Sequence, residues 1–405
     1  MQLYKLNQLL LDMHSGGTPD TSKPEYWNGD FKWLSSGETR QRFIENTESR
    51  ITQLGIEKSS TKLAKKNDVV MACAGQGKTR GQVSFLLDDM YINQSVIAMT
   101  TDEKILHPLY LFYNLLGRYN ELRGSSDASS TRGSITTKSL KKLAILIPNI
   151  DSQKNITDIL IAYDNLIENN NKRICLLEQM AENLYKEWFV RFRFPGYVNE
   201  HFIEGIPSSW SYVQLGDIAS FDRGISYSSD EINCDDGINL INLKNIQSYG
   251  GFRRDGTKQY NGKYKDSQIV VVGDLILGVT DMTQDRRTVG SVALIPQSLG
   301  ISAISADLVK VNLKVPNVFF YCMCRYGFYS KYFSQFANGA NVLHLKPNVL
   351  LNKKILLPTA ELIEAFAEKV QPMIDIVDDL NRQNDLLAKQ RDMLLPRLMS
   401  GKLEV

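Results

Sequence analysis

The chain has 405 residues, a length that favours two or three domains, and 43% of its residues are hydrophobic, enough to build their cores. Its 47 lysines and arginines are nearly balanced by 45 aspartates and glutamates, which excludes a uniformly basic nucleic-acid-binding protein and leaves only local basic surfaces. Five cysteines, at positions 73, 175, 234, 322 and 324, show neither metal-ligand spacing nor a disulfide framework. Without a signal peptide or an apolar run of about 18 residues, we expect a cytoplasmic protein with no metal site of its own.

An internal repeat at an offset of about 210 residues covers most of the chain. The matching segments are 3–20 with 212–229, 65–86 with 271–295, 107–116 with 315–324, and 140–149 with 351–360. A long helical pattern follows the last segment of each copy. The predicted domains are a first globular unit at 1–150, a helix at 151–195, a second globular unit at 196–358 and a helix at 359–405.

Each globular unit has a mixed pattern that predicts an α+β fold. Apolar, β-rich runs occur at 68–71, 83–87, 269–272 and 274–279. One helical stretch near 108–123 recurs near 316–336. We therefore predict two tandem mixed α/β domains related by an internal pseudo-twofold repeat, with two long helices between and after them.

Both long segments carry apolar residues at alternating spacings of four and three, the heptad pattern of a coiled coil. Such a narrow apolar stripe along a helix needs a partner helix to cover it. One asparagine interrupts each stripe, Asn170 in the first helix and Asn384 in the second. In an antiparallel pair whose facing residue numbers sum to 554, the asparagines face each other, whereas a parallel pair sets each against an apolar residue. We predict the antiparallel coiled coil, with a seam formed by Leu160, Ile167, Asn170, Ile174, Leu177, Val377, Leu380, Asn384, Leu387 and Leu394.

Two features leave alternatives to this coil. Pro372 and Pro396 each remove a helical hydrogen bond and tend to start, kink or stop a helix. In the simpler alternative each helix covers only its own domain, and the two asparagines are incidental.

The loops of both copies hold arginine, lysine, asparagine and glutamine beside glycine, side chains that reach DNA phosphates and base edges. Their occurrence at equivalent places in both copies favours a DNA-binding surface over scattered solvated residues. The candidate DNA-binding residues of the first copy are Ser15, Gly16, Gly17, Thr18, Lys23, Ser36, Arg40, Lys78, Thr79, Arg80 and Arg132. Those of the second copy are Arg223, Lys244, Asn245, Arg253, Arg254, Thr283, Gln284, Arg286, Arg287, Asn338 and His344.

The segment Gly77-Lys78-Thr79 fits a relaxed phosphate-loop pattern. A phosphate loop opens a helix whose N-terminus faces the phosphates, yet residues 80–87 read as a turn and a strand. The four histidines are scattered, and no methyltransferase motif or nuclease carboxylate cluster is found. We therefore predict no catalytic, cofactor-binding or metal-binding residues in this chain.

The residues resemble the specificity subunit of type I restriction-modification systems. The resemblance covers the whole chain and is carried by SGGTP at 15–19, PEYWNG at 24–29, the glycine-rich strand-loop-strand, the ending MLLPRLMSGKL at 393–403 and the duplicated plan. It implies two target-recognition domains that each read half of a bipartite double-stranded DNA sequence, held apart by two helices that also dock two modification subunits. Adenine methylation with S-adenosylmethionine, and cleavage driven by ATP with Mg²⁺ in restriction subunits, would belong to those partners.

Three other hypotheses remain open. The first is the same kind of subunit in a system that only methylates, or one whose target domains are exchanged by recombination. The second is a nucleotide-dependent enzyme, which predicts ATP binding that is lost in Lys78→Ala. The third is a coiled-coil adaptor with no role on DNA.

Overall fold

The computed structural model describes residues 1–75, 77–127, 133–232 and 236–405. The chain divides into two compact units. The first unit contains residues 1–167 and 386–405, and the second contains residues 168–385. The predicted contact Arg132 lies outside the described residues. Within the described ranges, no helix is long and apolar enough to cross a bilayer.

The first unit is a mixed α/β structure. Its strands are β1 (Gln2–Lys5), β2 (Leu10–Ser15), β3 (Trp27–Leu34), β4 (Phe43–Ile44), β5 (Ser49–Ile51), β6 (Lys62–Ala64), β7 (Val69–Ala72), β8 (Val83–Leu86), β9 (Met90–Ile92), β10 (Val96–Thr101) and β11 (Ala144–Ile147). Its short helices are α1 (Gln53–Glu57), α2 (Pro108–Gly117), α3 (Tyr119–Asp127) and α4 (Thr137–Lys141). The first long helix, α5 (Ile150–Tyr185), begins here and is followed by a π-helical turn at Lys186–Val190.

Strands β7 and β10 are buried on both faces, which explains their nearly continuous apolar sequence. Val69 and Met71 point to a core shared with α2, whereas Val70 between them belongs to a second core with β3 and β9. Alternate residues of one strand therefore serve two cores. The sheets are β2-β10-β7-β8-β4, β5-β3-β9-β6 and the pair β1-β11.

The second unit is built in the same way. Its strands are β12 (Phe202–Ile203), β13 (Ile206–Pro207), β14 (Ser211–Gln214), β15 (Ala219–Arg223), β16 (Ile238–Ile241), β17 (Lys258–Tyr260), β18 (Ile269–Val270), β19 (Leu275–Gly278), β20 (Thr280–Asp281), β21 (Val292–Leu294), β22 (Ser302–Ile304), β23 (Leu308–Leu313), β24 (Leu343–His344) and β25 (Lys354–Leu357). Its helices are α6 (Leu215–Ile218), α7 (Asn317–Tyr326), α8 (Tyr329–Ser334) and α9 (Asn348–Leu351), and the second long helix is α10 (Ala360–Met399).

The duplication extends to strand order and direction. The sheet β5-β3-β9-β6 has a parallel pair β3–β9 with antiparallel edges, and β17-β16-β22-β18 repeats this order with a parallel pair β16–β22. The sheet β2-β10-β7-β8 recurs as β15-β23-β19-β21, and the pair β1-β11 recurs as β14-β25. The predicted α+β internal repeat is confirmed.

The two long helices run antiparallel. In the second unit, the ring of Trp188 lies 5.9 Å from that of Phe366, and the Asn170 side-chain amide donates to Asn384 Oδ1 at 3.0 Å. Moving from residue 188 in the π-helical turn back to residue 170 on α5 therefore corresponds to moving forward from residue 366 to residue 384 on α10. The predicted antiparallel coil is confirmed, and the parallel alternative is excluded. Helix α10 continues through Pro372 and Pro396, whose side chains are exposed.

All ten predicted seam residues are buried or half-buried. Leu160, Asn170 and Leu380 are buried, whereas the others are half-buried: Ile167, Ile174, Leu177, Val377, Asn384, Leu387 and Leu394. Asn384 also donates to Asn171 Oδ1 at 2.8 Å, so its amide and carbonyl are both hydrogen-bonded. The asparagines form a polar layer in an otherwise apolar seam.

We expect the double variant Asn170→Leu, Asn384→Leu to raise the free energy of unfolding by about 1–2 kcal/mol, because an apolar layer replaces a desolvated polar one. The single variant Asn384→Leu should instead lower it by about 1–3 kcal/mol, because Asn170 then loses its acceptor in a buried position. Urea unfolding of the three proteins measures both effects. A double variant no more stable than the single one would contradict this interpretation of the layer.

Candidate nucleic-acid interface

An open groove in the first unit is lined by four cationic side chains. Arg40 and Arg42 lie between β3 and β4, Lys78 lies on the β7–β8 loop, and Arg123 lies on α3. The described lining residues include no aspartate or glutamate, and they include the ring of Tyr119. Positive charge suits a sugar-phosphate backbone, and an aromatic ring suits an unstacked base. This groove is the candidate nucleic-acid site of the first unit.

Helix α3 holds the loop that carries Lys78. The Tyr119 hydroxyl donates to the Lys78 carbonyl at 2.9 Å. The Arg123 guanidinium donates to the Gly77 carbonyl and, at 3.0 Å, to the Tyr119 hydroxyl. These bonds fix the loop backbone, while the Lys78 side chain stays exposed. Arg40 and Lys78 were predicted from the sequence, but Arg123 was not. Its available signal was its position four residues after Tyr119 on one helix face.

Arg80, which was predicted as a DNA contact, lies inside the first unit. Its side chain is 7% exposed, and its guanidinium donates to the Gly133 carbonyl at 2.7 Å. This bond joins the β7–β8 loop to the segment before α4. The charge of Arg80 therefore stabilises the loop instead of facing the groove.

The glycine pair predicted at the DNA surface packs against β9. The Gly17 amide donates to the Ile92 carbonyl at 3.0 Å, and a Cβ at Gly16 would lie 1.8 Å from that same oxygen. Only glycine fits this close approach, so the conformation of the loop explains both residues. Thr18 hydrogen-bonds to Gln94. The other predicted residues of this unit are partly or fully exposed: Ser15, Lys23, Ser36 and Thr79.

The Gly77-Lys78-Thr79 segment does not open a helix. The chain turns at Arg80-Gly81 and enters strand β8 at Val83. A phosphate loop needs the backbone amides and positive dipole end of a following helix. The described residues of this loop therefore lack the geometry that nucleotide phosphates require.

In the second unit, the loop after β20 and the segment before β24 form one polar surface. Strand pairing sets Thr280 opposite His344, and the Gln284 side chain donates to the Ala340 carbonyl at 2.8 Å. Asn338 exchanges backbone hydrogen bonds of 3.0 and 2.9 Å with His344. The structure thus brings together predicted residues that are about 60 positions apart in sequence: Thr283, Gln284, Arg286, Arg287, Asn338 and His344.

Asp281 organises this surface. Burial alone would raise the pKa of its carboxyl, but hydrogen bonds from Thr288 and Thr283 hold that pKa below its usual value. The donors are the Thr288 amide at 2.7 Å and the amide and hydroxyl of Thr283, both at 2.9 Å. Asp281 was not predicted from the sequence, because an aspartate at the start of a polar loop carries no distinctive signal. The charged Asp281 fixes the path of the loop.

The exposed members of this surface have side chains of the types that contact DNA. Gln284 and Asn338 carry side-chain amides of the kind that pair with adenine edges. Arg287 is exposed and lies 2.7 Å from Asp285, a surface pair that a phosphate can replace. Arg286 is half-buried, and its guanidinium donates to the Ser334 carbonyl at 2.9 Å, so it supports the loop.

Two other predicted contacts of the second unit are structural. Asn245, which was predicted as a DNA contact, is fully buried, and its amide donates to the Arg253 carbonyl at 2.8 Å and to Thr257 Oγ1 at 3.0 Å. Arg254 forms an ion pair with Asp378 on α10, which ties the loop to the helix. The remaining predicted residues are exposed: Arg223, Lys244 and Arg253.

The long helices carry exposed apolar side chains beside the seam. In the first unit these are Leu166 and Leu386, and in the second unit they are the repeat-equivalent Ile376 and Leu176. All four are 41–59% exposed, and each precedes a seam residue by one position. When two helices pack antiparallel, the positions directly before a seam residue on the two helices lie on the same side of the helix pair. The residue numbers of each pair sum to 552, so both side chains lie at one level. Each unit therefore presents one apolar pair.

Comparison with known proteins agrees with this architecture. The family model described as the type I restriction modification DNA specificity domain matches residues 1–179. The specificity subunit of the type I restriction enzyme MjaIX from Methanocaldococcus jannaschii is 25% identical over 415 residues, covering 97% of this chain and 91% of the relative. The specificity subunit of EcoR124I/EcoR124II from Escherichia coli is 29% identical over 188 residues, covering 45% of this chain and 46% of the relative.

Solved structures support the fold. The crystal structure of the S subunit of a type I restriction-modification system from M. genitalium matches with a TM-score of 0.64 at 15% identity, covering 98% of this chain and 95% of that one. Residues 1–179 match the family model of the type I specificity domain, and the chain is similar over most of its length to specificity subunits of type I restriction-modification systems.

Proposed function

We propose that this subunit reads a bipartite DNA sequence, with residues 1–150 and 196–358 as its two target-recognition domains. The observation that carries the proposal is the repeated strand order combined with diverged loops. Because the two units share one arrangement of strands, their loops lie at equivalent positions. Different side chains on those loops then give different base preferences. The cationic groove of the first unit and the Gln284–His344 surface of the second are the two half-site readers.

We further propose that the long helices dock two copies of a modification subunit. The support is the apolar pair that each unit presents, since exposed apolar surface beside a seam suits an amphipathic partner helix. Because Leu166 and Leu386 are equivalent to Ile376 and Leu176, one partner surface fits both pairs. Restriction subunits would join this assembly through their own contacts, and the protein would act in the cytoplasm, where its DNA lies.

The chemistry in this proposal belongs to the partners. S-adenosylmethionine would supply the methyl group in the modification subunits, and ATP with Mg²⁺ would drive cleavage in the restriction subunits. The chain itself would be non-catalytic. Its contribution is to select the DNA sequence and to hold the subunits on it.

Mapping of methylated adenines in host DNA tests this function. When the chain is produced with its modification subunit, we expect methylation within a bipartite motif. Replacing residues 1–150 with those of a related specificity subunit should change one half of the motif and leave the other half unchanged, because each domain reads its own half-site.

Two controls make the result decisive. Exchange of residues 196–358 should change only the opposite half of the motif. The variant Lys78→Ala in the wild-type chain should keep the same motif with less complete methylation, because lysine contacts phosphate without reading bases. A stable complex that methylates no adenine would instead support the adaptor hypothesis, and ATP binding by the chain that is lost in Lys78→Ala would support the nucleotide hypothesis.

A further inference from the structure

A second basic surface lies on the first unit, apart from the groove residues. It is formed by four exposed lysines: Lys5 at the end of β1, Lys138 and Lys141 on α4, and Lys142 directly after α4. The described residues that line this depression are these lysines with Asn7 and Thr137, and they include no carboxylate. None of the four lysines forms an ion pair with a described residue. We call this surface the lysine patch.

The lysine patch is connected to the recognition loop by one short segment. Residues 133–136 lead directly into α4, whose first turn is capped by Thr136. Within that segment, the Ile135 amide donates to the Cys73 carbonyl at 2.9 Å, and the Gly133 carbonyl accepts from Arg80. Both Cys73 and Arg80 belong to the β7–β8 loop that carries Lys78. The patch therefore has a fixed position relative to the groove within the same unit.

The composition of the patch favours phosphate over a protein partner. Lysine is a flexible point charge that suits phosphate groups, whereas the cores of protein interfaces are depleted in lysine and enriched in aromatic residues and arginine. The patch holds no aromatic or aliphatic anchor among its described residues.

The internal repeat supplies a second argument. The register of β1 with β11 (Lys5 opposite Ala144) and of β14 with β25 (Gln214 opposite Lys354) pairs residue 144 with residue 354. In this structural alignment, the positions equivalent to Lys5, Lys138, Lys141 and Lys142 hold Gln214, Asn348, Leu351 and Asn352 in the second unit. That unit has lysines at 353 and 354 instead, and Lys353 lies over the ring of Phe336 at 4.0 Å. If two copies of one partner protein dock on equivalent surfaces of the two units, only the copy on the first unit can contact the patch, because the second unit lacks it. A patch confined to one copy fits a feature of the DNA outside the symmetric assembly.

We propose that the lysine patch binds the sugar-phosphate backbone of duplex DNA that flanks the half-site read by the first unit. This inference rests on the proposed DNA-reading function. It adds a contact that lengthens the bound DNA on one side only and carries no base preference, because lysine contacts to phosphate add affinity without reading sequence.

The test uses the full chain assembled with its modification subunits and a fluorescent duplex that carries the mapped methylation motif. In the variant Lys138→Gln, Lys141→Gln, Lys142→Gln, affinity at physiological salt should fall by about 10-fold to 100-fold, and the slope of log K against log salt should become shallower by about 2–3. The methylated motif should stay the same. Hydroxyl-radical footprinting should lose protection only on the flank of the first half-site.

A matched control removes three exposed lysines elsewhere on the first unit, with Lys58→Gln, Lys65→Gln and Lys66→Gln. Its salt slope and footprint should equal those of the unmodified complex. Equal affinities and slopes for the patch variant and this control would overturn the inference. So would a patch variant that assembles poorly with the modification subunit, because the patch would then bind protein. If the unmodified complex binds no DNA selectively, the proposed function fails instead, independently of the patch.

Discussion

Replacing Asp164 by leucine is expected to lower the free energy of unfolding of the first unit by about 3–5 kcal/mol. Asp164 and Arg391 form an ion pair between α5 and α10, and their side chains are 5% and 6% exposed. The carboxylate also accepts from the Tyr113 hydroxyl at 2.7 Å and lies 3.3 Å from Arg42. Burial raises the pKa of Tyr113, so this phenol remains a donor at any ordinary pH. Losing the carboxylate leaves a buried cation and a buried hydroxyl without their main partner.

Two comparisons separate this effect from a simple loss of packing. The double variant Asp164→Leu, Arg391→Met removes both charges and should recover most of the lost stability. The variant Arg382→Met breaks an exposed ion pair with Asp379 on the same helix α10 and should cost less than about 1 kcal/mol. Urea unfolding followed by circular dichroism measures all of them. A loss below about 1 kcal/mol for Asp164→Leu would mean that solvent reaches the network.

The double variant Leu166→Asp, Leu386→Asp should assemble with one modification subunit instead of two. Both side chains belong to the apolar pair of the first unit, and each new carboxylate would have to be desolvated against the partner. We expect affinity for that copy to fall by more than about 100-fold, or about 2.7 kcal/mol, a loss of the size that interface hot spots cause. Native mass spectrometry of the reconstituted complex measures the stoichiometry directly.

The repeat provides the matched variant. Leu176→Asp with Ile376→Asp should also leave one bound copy, and the four substitutions together should leave none. The variant Asn165→Asp, Gln179→Asp adds the same charge to exposed positions of α5 on the helix face opposite the seam and should keep two copies. Two bound copies in both paired variants would place the docking surface elsewhere on the chain.

The large-scale plan could be predicted from the sequence because periodicity and repetition are properties of the chain itself. The heptad spacing gave both long helices, and the positions of Asn170 and Asn384 gave their relative direction and register, which the hydrogen bond between them confirms. Strand order could not be predicted, because the pairing of β3 with β9 joins segments almost 60 residues apart and depends on packing of the whole unit.

Individual site residues were less predictable, because residue type does not reveal burial. Arg80 and Asn245 have the right chemistry for DNA but serve the interior of their units. Conversely, Arg123 and Asp281 shape the two candidate surfaces through tertiary contacts that no local pattern records. The role of a loop residue can therefore be assigned only once the structure is known, whereas the role of a seam residue can be assigned from the heptad spacing.

The polar pairs of the helices also record how the two copies diverged. In an ancestor made of two identical halves, every contact between the helices would occur twice. Here the contact Asp164–Arg391 corresponds to Ile374 and Ala181, which lie in one apolar core of the second unit. Each charged residue therefore differs from its equivalent in the other copy, and so does its partner on the opposite helix of the same unit.

This coupling constrains recombination between related genes. A crossover near residue 150 exchanges the first recognition domain and leaves every seam partner in place. A crossover inside α5 would combine one lineage's Asp164 or Asn170 with another lineage's α10, and would produce a viable protein only where both lineages share the same partners. Selection should therefore concentrate the junctions of natural hybrids at the ends of the long helices.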